Sequence, residues 1–146
     1  MTITEPHVTS PPRRQELSLA RLCALRAGYL FMGLGLAIVK WPLIADASSM
    51  PIYEGVTLCM LTAMSLLAFL GLRYPIKLLP VLLFESAWKL LWLGLVALPR
   101  ALGGGLDAAT TQMLTRNSLV VVILAVIPWR YVWRKYVRAE GDPWRS

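Results

Sequence analysis

The chain has 146 residues, of which 57% are hydrophobic and 16% are charged, and its formal net charge is +7. A soluble domain usually has about 45–50% apolar and about 25% charged residues, so the composition argues against a soluble protein. The length predicts one compact bundle without a second domain.

The basic residues lie beside the ends of apolar segments rather than in one patch. This distribution is typical of charges that orient a membrane protein, and it argues against nucleic acid as a partner. The partner that it predicts is the lipid bilayer.

The leader, residues 1–18, is polar and basic and carries Arg13 and Arg14. It has too little apolar surface to fold alone, so we expect it to be disordered. Beyond it lie four apolar runs, each near the length of about 20 residues that a helix needs to cross a bilayer. The sequence therefore predicts an all-α fold, a four-transmembrane-helix bundle.

The predicted membrane domain covers residues 19–134, and a basic tail covers residues 135–146. The individual spans are predicted at about 19–44, 55–72, 76–98 and 115–133. Residues 45–47 (Ala-Asp-Ala) follow the first span and resemble a signal-peptide cleavage site. The long leader and the Lys-Trp-Pro sequence at residues 40–42 favour an uncleaved anchor, and cleavage stays the alternative.

No motif predicts a catalytic, metal or cofactor site. The only histidine is His7 in the leader, and Cys23 and Cys59 are far apart. This pattern argues against metal ligation, and we expect both cysteines to be buried apolar residues. The glycine run at residues 103–105 lacks the lysine and the strand of a phosphate-binding loop. We therefore expect no enzymatic activity from this chain alone.

The charge distribution predicts the orientation of the bundle. The side that holds both termini carries most of the cations, namely Arg13, Arg14, Arg21, Arg26, Arg73, Lys77, Arg130, Arg134, Lys135, Arg138 and Arg145. The opposite side carries only Lys40, Arg100 and Arg116. Because basic residues stay on the cytoplasmic side, we expect both termini in the cytoplasm of a bacterial cell and the chain in its inner membrane.

Two charges interrupt the third predicted span. Glu85 lies in its middle region, and Lys89 follows four residues later near the midplane. A charged side chain at this depth is energetically costly, so its presence suggests a functional site. The i,i+4 spacing puts both side chains on one helix face, with the acid on the N-terminal side, the better order for an intrahelical pair.

Three interpretations of this pair stay open. In the first, the two residues form an ion pair whose charges cancel, which allows the helix to insert. In the second, Glu85 binds a proton or cation, Lys89 modulates its pKa, and the cavity is lined by Ser86, Trp88 and Trp92. In the third, the pair binds a partner helix or a lipophilic cofactor such as a quinone. Small four-helix multidrug exporters use one membrane glutamate among aromatic residues, although that glutamate lies in their first helix.

The C-terminal segment combines basic and aromatic residues. The residues predicted to lie at the membrane interface are Arg130, Trp133, Arg134, Lys135 and Arg138. A helix with this pattern lies against anionic headgroups, where each basic residue contributes about 1 kcal/mol. The alternative is a simple stop-transfer anchor.

The chain resembles two groups of membrane proteins. The sequences VKWP at residues 39–42 and LGLRYP at residues 70–75 look like those of the DoxX-like group of small bacterial membrane proteins. Residues 73–92 and 127–145 resemble a family of uncharacterised small bacterial four-helix membrane proteins. Some DoxX-type proteins are membrane subunits of oxidoreductase complexes, so this resemblance implies a partner-bound role and transfers no catalytic residue.

The sequence thus predicts an accessory or structural subunit of a membrane complex. Its partner is then another membrane protein or further copies of this chain. The alternative is a small proton-coupled transporter that uses Glu85 in a homodimer.

Overall fold

A computed structural model describes residues 17–139 of the chain. Within that range the elements are all helical and no strand is present. Four helical stretches are long and apolar enough to cross a membrane. The prediction of an all-α fold with four such helices is confirmed, whereas most of the predicted leader and residues 140–146 of the tail lie outside the described residues.

The four stretches are named span 1 (Leu19–Ser49), span 2 (Ile52–Arg73), span 3 (Leu79–Leu102) and span 4 (Ala108–Val126). They are built from α1 (Leu19–Lys40), a 3₁₀ helix (Trp41–Ser49), α2 (Ile52–Arg73), α3 (Leu79–Trp92), a π-helical turn (Leu93–Ala97), α4 (Leu98–Leu102), α5 (Ala108–Ser118) and α6 (Val120–Val126). After span 4 come α7 (Trp129–Val132) and a second π-helical turn (Trp133–Val137).

Apolar side chains cover the outside of the bundle. Ile38 and Leu95 are each 73% exposed, whereas Ser65, Glu85 and Asn117 are at most 2% exposed. A water-soluble monomer rarely exposes apolar surface of this extent. The arrangement suits a bundle whose solvent is lipid.

Spans 1 and 2 pack closely at Tyr29 and Gly71. A Cβ atom on Gly71 would lie 2.6 Å from Cε1 of Tyr29, so only glycine leaves room for the ring. The fully buried Tyr29 hydroxyl donates a hydrogen bond of 2.9 Å to the carbonyl oxygen of Pro75, in the turn after span 2. Tyr29 therefore joins the start of span 1 to the turn that leads into span 3.

Two further contacts set the neighbours of span 1. A Cβ atom on Gly28 would lie 2.7 Å from Cγ2 of Val126, so span 4 meets span 1 where a side chain is missing. At the other end, the Trp41 indole donates a hydrogen bond of 2.9 Å to the hydroxyl of Ser65. Close approach at small residues is the usual way in which membrane helices pack.

Prolines shape the ends of spans 3 and 4 in different ways. Span 3 passes through Pro99 and ends at Leu102, and a π-helical turn over Leu93–Ala97 precedes the proline. Such a turn accommodates the missing N–H and the bulk of the ring. The sequence predicts an end near residue 98. At Pro128, by contrast, the helix has already ended at Val126.

Span 4 begins at Ala108, earlier than the predicted start near residue 115. Asp107 caps the helix by accepting a hydrogen bond of 3.0 Å from the backbone N–H of Thr110. The Arg100 guanidinium donates to the Thr110 hydroxyl at 2.9 Å, which ties the end of span 3 to this cap. Hydrogen bonding to Thr110, aided by the charge of Arg100, holds the pKa of Asp107 below its usual range.

The prediction that both cysteines are buried is wrong. Cys23 and Cys59 are both exposed on the surface of the bundle. Their neighbours in the sequence face both ways, because Leu25 and Leu58 are buried while the two cysteines are exposed. In a membrane protein, an apolar run indicates contact with lipid as readily as contact with the core.

Candidate functional site in span 3

The inward face of α3 carries Glu85 into the bundle. Leu79 and Leu82 are fully buried in the core, and Glu85 follows at helical spacing on the same face. Because residues three and four apart share one side of a helix, packing of the leucines also buries the carboxylate. Glu85 is 1% exposed.

Both oxygens of Glu85 face partners from the same helix. Oε1 lies 2.6 Å from Nζ of Lys89. Oε2 accepts a hydrogen bond of 2.8 Å from the Trp88 indole N–H. Nζ of Lys89 also lies 5.6 Å from the centroid of the Trp88 ring. The three side chains form a closed unit, which we name the Glu85 triad (Glu85, Trp88, Lys89).

The triad is not equally buried throughout. Lys89 is 13% exposed and Trp88 is half-buried, so the cation lies nearer to the bundle surface than the carboxylate does. The contact between Oε1 and Lys89 is ionic and lacks the alignment of a hydrogen bond. At low dielectric such a pair neutralises both charges without help from another span.

The other predicted cavity-lining residues, Ser86 and Trp92, make no hydrogen bond to this unit within residues 17–139. The Ser86 hydroxyl is buried and donates a hydrogen bond of 2.9 Å to the carbonyl oxygen of Leu82 in its own helix. Trp92 is half-buried and, within residues 17–139, makes no hydrogen bond to the triad. The structure therefore joins Trp88 to Glu85 by a hydrogen bond and, within the described residues, shows no such bond to Glu85 from Ser86 or Trp92.

Two grooves of the described chain lie at the ends of the bundle. One, of about 350 Å³, is lined by Lys40, Leu43, Met50, Tyr53, Glu54, Thr57 and Leu58. The other, of about 800 Å³, is lined by Trp129, Arg130, Val132, Trp133, Arg134 and Val137. Neither groove reaches the Glu85 triad.

Asn117 is a buried polar residue that the sequence reasoning missed. It is 2% exposed, and its Nδ2 has no hydrogen-bond partner in the described chain. Asn117 belongs to α5, which packs against the turn Leu93–Ala97, and the following helix α6 packs against α3. Spans 3 and 4 are antiparallel, so Asn117 lies at a depth just beyond that of Lys89. The sequence signal that could have indicated it is an asparagine at the start of an apolar run.

The predicted interface residues all lie after the break at Pro128. Arg130, Trp133 and Arg134 are exposed and share one face, whereas Lys135 lies 5.7 Å from the centroid of the Tyr131 ring on another. Arg138 is exposed where the last helical turn ends. Within residues 17–139, no group of three or more histidine, cysteine, aspartate or glutamate residues is placed to hold a metal ion.

Comparisons of the chain with protein-family models, with curated proteins and with solved structures find no match. The resemblance of residues 39–42 and 70–75 to DoxX-like proteins stays a prediction.

Proposed function

We propose that the protein is a structural or accessory subunit of a complex in the bacterial inner membrane. The observation that carries the proposal is the closed Glu85 triad. Both carboxylate oxygens have partners within one helical turn, and the side chain is 1% exposed. A charged pair of this kind lets the helix enter the bilayer, because each charge has its counter-charge in the same helix.

A transport role makes different demands on Glu85. A proton or cation carrier must exchange with water on each side of the membrane, which requires a polar path to the carboxylate. The two grooves described above end at the bundle surface and are lined by other residues. The geometry therefore favours the structural interpretation over a proton-coupled transporter.

The thin packing of the bundle supports a role within a larger assembly. Only 22–28% of the residues in the most apolar part of each span are buried. Most of the helical surface is thus available to lipid, to another membrane protein or to further copies of the chain. A subunit that works by contact needs such surface more than it needs a cavity.

The proposal predicts that the protein leaves the membrane as part of an assembly. After extraction of its native membrane in mild detergent, light scattering should give a protein mass at least twice that of the 16.3 kDa chain. The expected excess is a partner in fixed stoichiometry or a second copy. Mass spectrometry of the purified particle distinguishes the two.

A monomer with transport activity would contradict this proposal. The control is therefore a flux measurement in proteoliposomes that enclose a pH-sensitive dye. The wild-type protein and its Glu85→Gln variant should both give the background rate of proton flux. Flux that is specific to the wild type, with equal helix content in the variant, would establish the transporter instead.

The orientation can be tested separately. We expect a green fluorescent protein fused after Ser146 to be fluorescent, because that end lies in the cytoplasm. Alkaline phosphatase fused after Gly104 should be active, because it requires export, whereas phosphatase fused after Ser146 should be inactive. The opposite pattern of activity would show that the positive charges do not set the topology.

A further inference from the structure

We infer that the groove after Pro128 is a binding site for the phosphate of an anionic phospholipid. The inference is independent of the proposed function, since it concerns the end of span 4 rather than the Glu85 triad. The groove of about 800 Å³ combines two arginines with apolar and indole surface (Trp129, Arg130, Val132, Trp133, Arg134 and Val137). A lipid offers the same combination of a charged head and an apolar tail.

The break at Pro128 creates the groove. The chain leaves the helix at Ile127, which has an extended ψ of 125°, and turns helical again at Trp129. The Trp129 indole N–H donates a hydrogen bond of 2.9 Å back to the carbonyl oxygen of Leu124, which holds the new segment against the end of span 4. The indole nitrogen is thereby satisfied, while 49% of the side chain stays exposed.

One face of the new segment carries the ligand-binding groups. Arg130 and Arg134 are one turn apart, and Trp133 and Val137 continue the same face at helical spacing. Nε of Arg134 donates a hydrogen bond of 3.2 Å to the carbonyl oxygen of Arg130, which joins the two residues. Guanidinium groups match the paired oxygens of a phosphate better than ammonium groups do.

The depth of the groove suits a headgroup. Val126 packs on Gly28 near the start of span 1, so the groove lies just beyond the apolar part of the bundle. Exposed tryptophans at this level are typical of the boundary between acyl chains and headgroups. The phosphate would therefore meet the arginines while an acyl chain follows Val132 and the indoles.

Charge selects an anionic lipid over a zwitterionic one. We call this end of the bundle the basic end, because its charged residues within 17–139 are all cations, namely Arg21, Arg26, Arg73, Lys77, Arg130, Arg134, Lys135 and Arg138. The described carboxylates are Glu85 inside the membrane and Asp46, Glu54 and Asp107 at the other end. The quaternary amine of phosphatidylcholine would be repelled here, whereas phosphatidylglycerol brings only negative charge.

The test titrates the full-length protein in detergent with phosphatidylglycerol and counts bound lipid by native mass spectrometry. We expect a first lipid that binds about tenfold more tightly than phosphatidylcholine. The double variant Arg130→Gln/Arg134→Gln should lose about tenfold or more of that affinity. Circular dichroism verifies that its helix content is unchanged.

The matched control is Lys135→Gln/Arg138→Gln, which removes two charges from the same segment but none from the groove. It should weaken binding less than about threefold. Equal losses of lipid affinity in the two double variants would show that the lipid is attracted by the overall positive charge and not by a specific site. If Arg130→Gln/Arg134→Gln fails to fold, the variant Arg130→Lys/Arg134→Lys replaces it. Unchanged lipid affinity in the lysine variant would show that the guanidinium groups do not recognise paired phosphate oxygens.

A second titration with inorganic phosphate and with glycerol 3-phosphate identifies the source of the ligand. Neither should bind at concentrations that saturate the site with phosphatidylglycerol, because both lack an acyl chain. Binding of either with the affinity of the lipid would overturn the assignment to a membrane lipid.

Discussion

Replacing Lys89 with methionine is expected to lower the free energy of unfolding by about 3–5 kcal/mol, the usual cost of breaking a buried ion pair from one side. Methionine keeps the length of the side chain and removes its charge. Glu85 would then be a carboxylate that is 1% exposed, with the Trp88 indole N–H as its remaining hydrogen-bond donor. The charge would have no compensating cation within its helical turn.

Glu85→Gln should be milder than Lys89→Met. Lys89 is already 13% exposed and has a long flexible side chain, so its ammonium group can move toward the bundle surface. It also keeps its position near the Trp88 ring, 5.6 Å from the centroid. The two single substitutions thus differ because the anion is enclosed and the cation is not.

The double variant Glu85→Gln/Lys89→Met completes the measurement. With both charges removed, it should recover most of the stability that Lys89→Met loses, since a neutral pair has little left to compensate. Reversible unfolding in mixed detergent micelles, followed by circular dichroism, gives all four free energies. An additive result, in which the double variant loses the sum of the two single losses, would show that Glu85 and Lys89 do not form a coupled pair.

The sequence was sufficient to predict four helices and the placement of Glu85 and Lys89 on one helix face. Both follow from local patterns: the length of the apolar runs, and the i,i+4 spacing of Glu85 and Lys89. The role of Trp88 is harder to predict from the sequence. Its i,i+3 spacing allows a hydrogen bond to Glu85, but it is equally compatible with a position in the lining of a cavity. Only the side-chain rotamers decide between these two arrangements.

Features that depend on a second helix could not be read from the sequence. Cys59 lies in an apolar run, but that run does not tell which of its residues face lipid. Asn117 is enclosed because α5 packs on the π-helical turn of span 3. The end of span 3 beyond Pro99 likewise depends on that turn, which no residue pattern in the sequence indicates.

The contact between Gly71 and Tyr29 supplies the second large effect. Gly71→Ala is expected to lower the free energy of unfolding by about 2–4 kcal/mol, because the added methyl group overpacks the core and weakens one hydrogen bond. The added Cβ atom would lie 2.6 Å from Cε1 and 2.8 Å from Cγ of Tyr29, closer than van der Waals contact permits. Tyr29 is fully buried, so its ring can yield only by weakening its 2.9 Å bond to Pro75.

Two further variants show whether this cost comes from the clash. Gly35→Ala is the matched control in span 1, because a Cβ atom there meets nothing within 4 Å, and it should change stability by less than about 0.5 kcal/mol. Tyr29→Phe keeps the ring and removes only the hydroxyl, so it should cost about 1 kcal/mol. The same micelle unfolding assay serves for all three. If Gly71→Ala proves as mild as Gly35→Ala, then spans 1 and 2 are not in van der Waals contact at Tyr29, and the turn at Pro75 is held in some other way.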